Sequence, residues 1–211
     1  MKPYYEQDGI VIYNCDCRKI LPTLPPVDLV LTDPPFGFGN FLQISGDLRG
    51  RGKQRGVAVD WNDHPPDKET IALAKSKGTY SIIWGANHFD CFDGKGAIVW
   101  IKNQSLPNMS KAEIASCSFF NKTEIVEIAW NGVEAAALKE SSHPCERPVA
   151  LYSWCINYAP KADTILDPFC GSGSTLVAAK LSGRKAIGIE IEEKYCEISA
   201  NRLAQGVLDF A

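Results

Sequence analysis

The chain has 211 residues, of which 45% are hydrophobic and 22% are charged, and its formal net charge is −3. This composition is typical of a globular protein and excludes disordered and fibrous chains. The charge disfavours a protein that coats nucleic acid non-specifically, because such affinity comes from neutralising phosphates. The length predicts a single α/β domain over residues 1–211.

The sequence lacks the usual features of secreted and membrane proteins. It starts without the basic and apolar pattern of a signal peptide, and no apolar run approaches the roughly 20 residues that span a membrane. We therefore predict a cytoplasmic protein without a membrane partner, whose eight cysteines stay reduced. Because Cys15-Asp16-Cys17 has no second pair with zinc-ligand spacing, no metal is expected.

Apolar runs typical of strands alternate with helical patterns along the chain. Strands are predicted at residues 10–13, 27–32, 79–84, 97–101, 125–130, 164–166 and 185–191. Helices are predicted at residues 18–24, 68–77, 147–158, 174–182 and 193–204. About seven strands alternating with helices predict a doubly wound, mostly parallel sheet, whose ligands bind beyond the carboxyl ends of the strands.

Residues 37–66 are rich in glycine and charge and predict a long loop after the second strand. Loops of this length are usually functional or disordered. The loop carries a basic cluster that can contact nucleic-acid phosphates, although charge in a loop is often only solvated: Arg49, Arg51, Lys53 and Arg55.

A glycine-rich turn follows the strand at 164–166 and opens the next helix. Gly171 and Gly173 allow the backbone to pass close to a ligand. Glu190, at the end of the following strand, can accept both hydroxyls of a ribose. It lies 23 positions after Asp167 (190 − 167), near the roughly 20 expected of a dinucleotide site. The alternative is a purely structural turn.

Two details favour S-adenosylmethionine over NAD at this turn. Leu176 stands where the dinucleotide fingerprint places a third small residue, which disfavours a pyrophosphate at the helix start. Asp167 would repel a phosphate, but its carboxylate suits a cationic sulfonium and amino-acid group.

The run Asp33-Pro34-Pro35-Phe36 ends the buried strand at 27–32. The prolines have a fixed φ and can hold the Pro34 carbonyl beside the Asp33 carboxylate. Two acceptors at one point match the two N–H donors of an exocyclic amine, and holding both would draw the amine lone pair toward a methyl donor. Phe36 can stack on the ring that carries the amine. The alternative is a strand end with a proline stop.

These motifs resemble those of the DNA amino-methyltransferases, in the permuted order with the catalytic tetrapeptide before the cofactor loop. Asp33–Phe36 is similar to that family's Asp-Pro-Pro-Tyr/Phe, and Asp167–Gly173 to its cofactor loop. The run 143–148 is similar to His-Pro-x-x-Lys-Pro, with Arg147 in place of Lys. Asn14–Cys17 resembles Gly-Asp-Cys, whose acidic residue faces the cofactor's adenine, although Asn14 replaces the usual Gly.

The resemblance implies a seven-stranded methyltransferase sheet with an antiparallel hairpin at one edge, and S-adenosyl-L-methionine as cofactor. It implies that the catalytic residues are Asp33, Pro34, Pro35 and Phe36. The cofactor-binding residues that it implies or the spacing suggests are Asp16, Cys17, Asp33, His143, Arg147, Pro148, Asp167, Phe169, Gly171, Ser172, Gly173 and Glu190. The segment Trp84–Phe89 is a further candidate for the pocket wall, with a structural turn as the equal alternative.

The expected function is methylation of adenine N6 in DNA after base flipping, because family members with Asp at position 33 mostly have that specificity. The open alternatives are cytosine N4 in DNA and an amine of RNA or protein, whereas a non-catalytic cofactor-binding subunit is disfavoured. DNA is the expected partner, and a homodimer is an open expectation. The implied setting is restriction-modification in a prokaryotic or phage-infected cell, near the nucleoid.

Overall fold

The computed structural model describes residues 1–37, 65–92, 96–103, 110–130 and 147–205. The strands within this part of the chain are β1 (Tyr5–Gln7), β2 (Ile10–Asn14), β3 (Val27–Thr32), β4 (Gly78–Trp84), β5 (Gly96–Ile101), β6 (Ala112–Cys117), β7 (Thr123–Glu127), β8 (Thr164–Asp167) and β9 (Lys185–Glu190). The helices are α1 (Cys17–Ile20), α2 (Lys68–Ser76), α3 (Ala86–Phe89), α4 (Val149–Tyr158), α5 (Ser174–Leu181) and α6 (Glu193–Ala204), and Leu21–Thr23 forms a 3-10 turn.

The nine described strands form one sheet in the order β1-β2-β9-β8-β3-β4-β6-β5-β7. Strands β2, β9, β8, β3 and β4 run parallel to one another. Strand β1 pairs antiparallel with β2, and β6 is antiparallel to both β4 and β5. Strand β7 pairs parallel with β5. The α/β class predicted from the sequence is therefore confirmed.

The count of seven strands is wrong for this sheet, because β1 and β6 escaped prediction. The three residues of β1 are too short for a recognisable alternation. The run Ala112–Cys117 contains Ala, Glu and Ser, which have weak strand propensity, and it becomes a strand because it lies between β4 and β5. The antiparallel β5–β6 pair lies inside the sheet, because β7 is the edge strand beside β5. The antiparallel pair at an edge of the sheet is β1–β2.

Two apolar clusters cover the two faces of the sheet. Leu29 and Leu31 belong to the cluster that includes residues of α4, α5 and α6. Val30 belongs to the other cluster, with residues of α1 and α2. Neighbouring residues of β3 enter opposite clusters because side chains alternate across a strand, which explains why Leu29, Val30 and Leu31 are all apolar.

The carboxyl ends of the parallel strands bring the predicted motifs to one edge of the sheet. Asn14 of β2 is paired in register with Glu190 of β9, and Asp167 of β8 with Gly188 of β9. Strand β3, which ends at Thr32, is the other neighbour of β8. The Asp33 and Asp167 motifs, more than half the chain apart in sequence, thus lie on adjacent strands. Within the described ranges, no helix is long and apolar enough to cross a membrane.

Candidate active site

The glycine turn joins β8 to α5 at the carboxyl edge of the sheet. Gly173 is left-handed with a φ of 81° and stands at the amino end of α5. Its Cα lies against α6, because a Cβ at this position would be 2.0 Å from Ser199 Oγ. Arg202 of α6 fastens the same turn by donating from one nitrogen to the Ser172 carbonyl at 2.8 Å and its hydroxyl at 3.0 Å. The last helix therefore sets the shape of the predicted cofactor loop.

Asp167 stabilises the start of this turn through hydrogen bonds. Its carboxylate is buried and accepts from the Thr32 hydroxyl at 2.6 Å and from the Phe169 amide at 3.1 Å. Burial raises its pKa to about 6, although hydrogen bonds from Thr175 and Thr32 oppose the change. Asp167 thus ties the ends of β8 and β3 together, and its predicted contact with a cofactor stays a prediction.

Glu190 extends from β9 into the same turn. One carboxylate oxygen accepts from the Gly171 amide at 3.0 Å and the other from the Glu192 amide at 2.8 Å. Burial nevertheless raises the pKa of Glu190 to about 7. The two oxygens have accepting capacity left beyond these backbone bonds, as two ribose hydroxyls would require.

The end of β2 lies beside Glu190. The Asn14 amide donates to the carbonyls of Glu190 and Ile191, both at 3.0 Å, which explains why a side chain is useful where the family has Gly. Asp16 caps α1 through the Arg18 amide at 2.9 Å and pairs with the Arg18 side chain at 2.5 Å. The hydrogen bonds from Arg18 lower the pKa of Asp16. Asp16 thus lies near the carboxyl end of β2, as predicted, and its carboxylate is paired with Arg18.

Cys17 lies inside the protein. Its side chain belongs to the apolar cluster beneath α1 and α2, and burial raises its pKa to about 12. Its thiol therefore packs in the core, and only its backbone lies near the cofactor edge. Phe169 packs partly against the same cluster.

The catalytic tetrapeptide follows β3 directly. Asp33 forms an ion pair through Oδ2 with Arg147 Nε, while its Oδ1 is buried and has no hydrogen-bond partner among the described residues. Arg147 also forms an ion pair with Glu113 on β6. The sequence placed Arg147 at the cofactor, whereas the described contacts bring it to the catalytic motif. Pro148, its neighbour, precedes the first residue of α4 in an extended conformation.

The Phe36 ring lies between the turn after β4 and the Arg147 guanidinium. It stacks on His88 with ring centroids 4.7 Å apart and contacts the Phe89 ring at 5.9 Å. A Cβ on Gly85 would be 2.1 Å from Phe36 Cε1. The segment Trp84–Phe89 therefore divides: Trp84 is a core residue, fully buried, whereas Gly85 and His88 support the tetrapeptide.

Some predicted site residues lie outside the described residues: His143 and the basic cluster Arg49, Arg51, Lys53 and Arg55. The prediction of a long loop at 37–66 falls almost entirely outside them as well. Glu113 and Lys102 are contacts of the site that the sequence did not suggest. No local motif marks them, because Glu113 contacts Arg147, and Lys102 contacts Glu113, only once β5 pairs with β6.

The described residues fit S-adenosylmethionine. Glu190 presents a buried carboxylate for ribose hydroxyls, and Ile191 beside it is 57% exposed and offers an apolar surface to a flat ring. Asp33 follows β3, two strands from β9, which corresponds to about 10 Å. A ligand held by its ribose at β9 would thus extend toward the carboxylate at β3. Among the described residues, no group of three or more His, Cys, Asp or Glu could hold a metal ion.

Comparison with known proteins decides the family. A family model described as DNA methylase matches residues 121–201. The type II methyltransferase M2.LlaDCHI of Lactococcus lactis subsp. cremoris is 28% identical over 256 aligned positions, covering 97% of this chain and 93% of that protein. YubD of Escherichia coli (strain K12), named as a methylase, is 30% identical over 213 positions, covering 90% of this chain and 88% of that protein.

The chain belongs to the DNA methyltransferase family. Solved structures share its fold. The M1.HpyAVI–SAM complex has a TM-score of 0.61 at 22% identity, covering 93% of this chain and all of that one. The cytosine-N4-specific PvuII DNA methyltransferase has a TM-score of 0.65 at 18% identity, covering 99% and 91%. The cofactor of this methyltransferase is S-adenosyl-L-methionine.

Replacing Glu190 with Gln should remove the pH dependence of S-adenosylmethionine affinity. Ribose hydroxyls bind the ionised carboxylate better, so affinity should rise about tenfold as the pH rises from 6 to 8 through the pKa of about 7. The Gln variant should bind more weakly at pH 8 and show a flatter profile in calorimetry. Asp163→Asn is the matched control, since Asp163 is an exposed carboxylate outside the site, and it should keep the parent's rise. A Gln variant with an unchanged profile would remove Glu190 from the ribose site.

Proposed function

We propose that this methyltransferase transfers the methyl group of S-adenosylmethionine to adenine N6 in DNA. The observation that carries the proposal is the Asp33 carboxylate, with one oxygen paired to Arg147 and the other buried and unpartnered among the described residues. The resemblance of Asp33–Phe36 to the Asp-Pro-Pro-Tyr/Phe of adenine enzymes supports the choice of base. The order of the two motifs along the chain supports the permuted class.

The proposed reaction begins with a flipped adenine, because N6 of a stacked base cannot reach a methyl donor inside the protein. Asp33 Oδ1 accepts one N–H of the amine, and the Pro34 carbonyl is proposed to accept the other. The bound cofactor supplies a methyl group on a sulfonium, already activated for displacement. As the N–C bond forms and the S–C bond breaks, Asp33 takes the proton that the methylated amine sheds. Positioning then supplies much of the catalysis.

A second candidate is methylation of cytosine N4. The similarity in fold to the cytosine-N4-specific PvuII enzyme supports this candidate. Cytosine also offers an exocyclic amine with two N–H donors, so the same acceptors would serve it. The basic cluster at residues 49–55 is proposed to contact DNA phosphates in either case. The relatives named as type II methyltransferases support a role in restriction-modification, and a homodimer stays a prediction.

Mass spectrometry of digested DNA should identify the product. We expect N6-methyladenine after incubation of the protein with unmethylated DNA and labelled S-adenosylmethionine, and no label in RNA or protein offered in parallel. Glu190→Gln at pH 8, where it should bind S-adenosylmethionine more weakly than the parent, is a control for dependence on the cofactor site. N4-methylcytosine as the product would replace adenine by cytosine, and label confined to RNA or protein would overturn the assignment to DNA.

A further inference from the structure

A chain of buried charges leads from the catalytic carboxylate into the sheet. Arg147 forms ion pairs with Asp33 and Glu113, and Lys102 forms an ion pair with the second oxygen of Glu113. No side chain among these four is more than 17% exposed. They come from four separate places: the ends of β3 and β5, strand β6 and the segment before α4. We call them the charge chain.

The charge chain is balanced, with two carboxylates and two cations. Buried ion pairs are weak evidence for stability, because apolar residues of similar size often stabilise a core as well or better. What an ion pair provides beyond stability is a fixed orientation. The Arg147 guanidinium matches a carboxylate better than a Lys ammonium does, since it can hold two partners in one plane.

Arg147 contacts the catalytic motif at a second point. Its guanidinium lies 5.8 Å from the centre of the Phe36 ring and 5.6 Å from that of Trp100. Lys102 in turn lies 5.4 Å from the Trp100 ring and 5.2 Å from the Trp130 ring. The two aromatic rings beside Arg147 restrict its guanidinium, so Arg147 is held both by charge and by packing.

We propose that Arg147 is a positioning residue for the catalytic Asp33 rather than a contact of the cofactor. By occupying Asp33 Oδ2 it directs Oδ1 toward the target amine, and Glu113 and Lys102 hold it in place. The inference rests on the proposed function, in which Asp33 accepts the amine. It replaces the cofactor role that the sequence assigned to Arg147.

The electrostatics of the site support this arrangement. Burial raises the pKa of Asp33, and Arg147 opposes the rise, whereas Glu113 adds to it. Burial alone would also raise the pKa of Glu113, but Arg147 and Lys102 together bring it below its ordinary value. Among the residues that the structure describes, the ionisable groups that face Asp33 are Arg147, Glu113, Lys102, Asp167 and Tyr152.

The test compares Arg147→Gln and Arg147→Lys with the parent by three measurements. These are the pH profile of the single-turnover rate, the titration of the Asp33 carboxyl carbon by NMR, and the Kd of S-adenosylmethionine by calorimetry. We expect Arg147→Gln to move both the acidic limb of the rate and the Asp33 titration to higher pH by roughly one to three units. Cofactor affinity should change less than twofold, and Arg147→Lys should restore part of the effect.

Glu113→Gln provides an independent variant if Arg147→Gln does not fold. It removes a negative neighbour of Asp33, so the acidic limb and the carboxyl titration should move to lower pH. Arg184→Gln is the matched control. Arg184 pairs with exposed Asp163 at 2.5 Å at the amino ends of β8 and β9, away from the site, so the pH profile of this variant should equal the parent's.

Two outcomes would overturn the positioning role. One is loss of cofactor affinity in Arg147→Gln with an unchanged acidic limb, which would return Arg147 to the cofactor site. The other is an Asp33 titration that neither variant moves. The NMR titration needs no turnover, so a parent protein that fails to methylate DNA would refute the proposed function without deciding the role of Arg147.

Discussion

Asp33→Asn should lower the single-turnover rate of methyl transfer by about two to three orders of magnitude, the usual cost of losing one electrostatic partner of a transition state. The Asn side chain has nearly the same volume and shape as the Asp side chain. It cannot present two acceptors, however, and Arg147 would take the one that remains. The buried Oδ1 that faces the amine in our proposal would then become a donor.

The protein should tolerate this change. Arg147 retains its ion pair with Glu113, so no cation is left without a partner. Calorimetry should show S-adenosylmethionine affinity within a few-fold of the parent, because Glu190 and the glycine turn are unchanged. Asp163→Asn is the matched control, since it removes the carboxylate of an Arg–Asp pair remote from the site. An Asp33→Asn variant that methylates DNA at near the parent rate would contradict the proposed mechanism.

Gly173→Ala should destabilise the protein and abolish cofactor binding. A side chain at the left-handed φ of 81° costs about 1–2 kcal/mol in backbone strain. The added Cβ would also meet Ser199 Oγ at 2.0 Å and Ser199 Cβ at 2.9 Å. Strain and overpacking together should lower the free energy of unfolding by roughly 2–5 kcal/mol. Urea unfolding measures the stability and calorimetry the affinity for S-adenosylmethionine.

Gly183→Ala separates the two causes. Gly183 follows α5 with a φ of +66°, but a Cβ there would have nothing within 4 Å. The free energy of unfolding of this variant should therefore fall only by the cost of backbone strain, about 1–2 kcal/mol, and its cofactor affinity should be unchanged. Equal losses of stability in the two variants would show that contact between the glycine turn and α6 is unimportant.

Local sequence patterns sufficed for much of the fold. The apolar residues 29–31 within the stretch 27–32 predict β3, because both faces of a central parallel strand are buried. The helix at 174–182, with Gly183 after it, agrees with α5 and its left-handed end to within one residue. Strand β6 could not be predicted in this way, since its weak propensity is overcome only by pairing with β4 and β5.

The two site motifs were also accessible from sequence, and their adjacency follows from the rule that parallel strands end at one edge. Asp33, Glu190 and the glycine turn could be recognised as a site because a purely structural role rarely requires these residue types together. The sequence alone thus determined the fold class, the methyltransferase family motifs and the edge at which they meet.

Only the tertiary structure decided what each side chain contacts. Arg147 lies within a cofactor-type run in the sequence, yet it pairs with Asp33 and Glu113, which stand 114 and 34 positions before it (147 − 33 and 147 − 113). Buried charges choose partners by proximity in the folded sheet, because each must be neutralised where water is excluded. No periodicity or spacing along the chain records that choice.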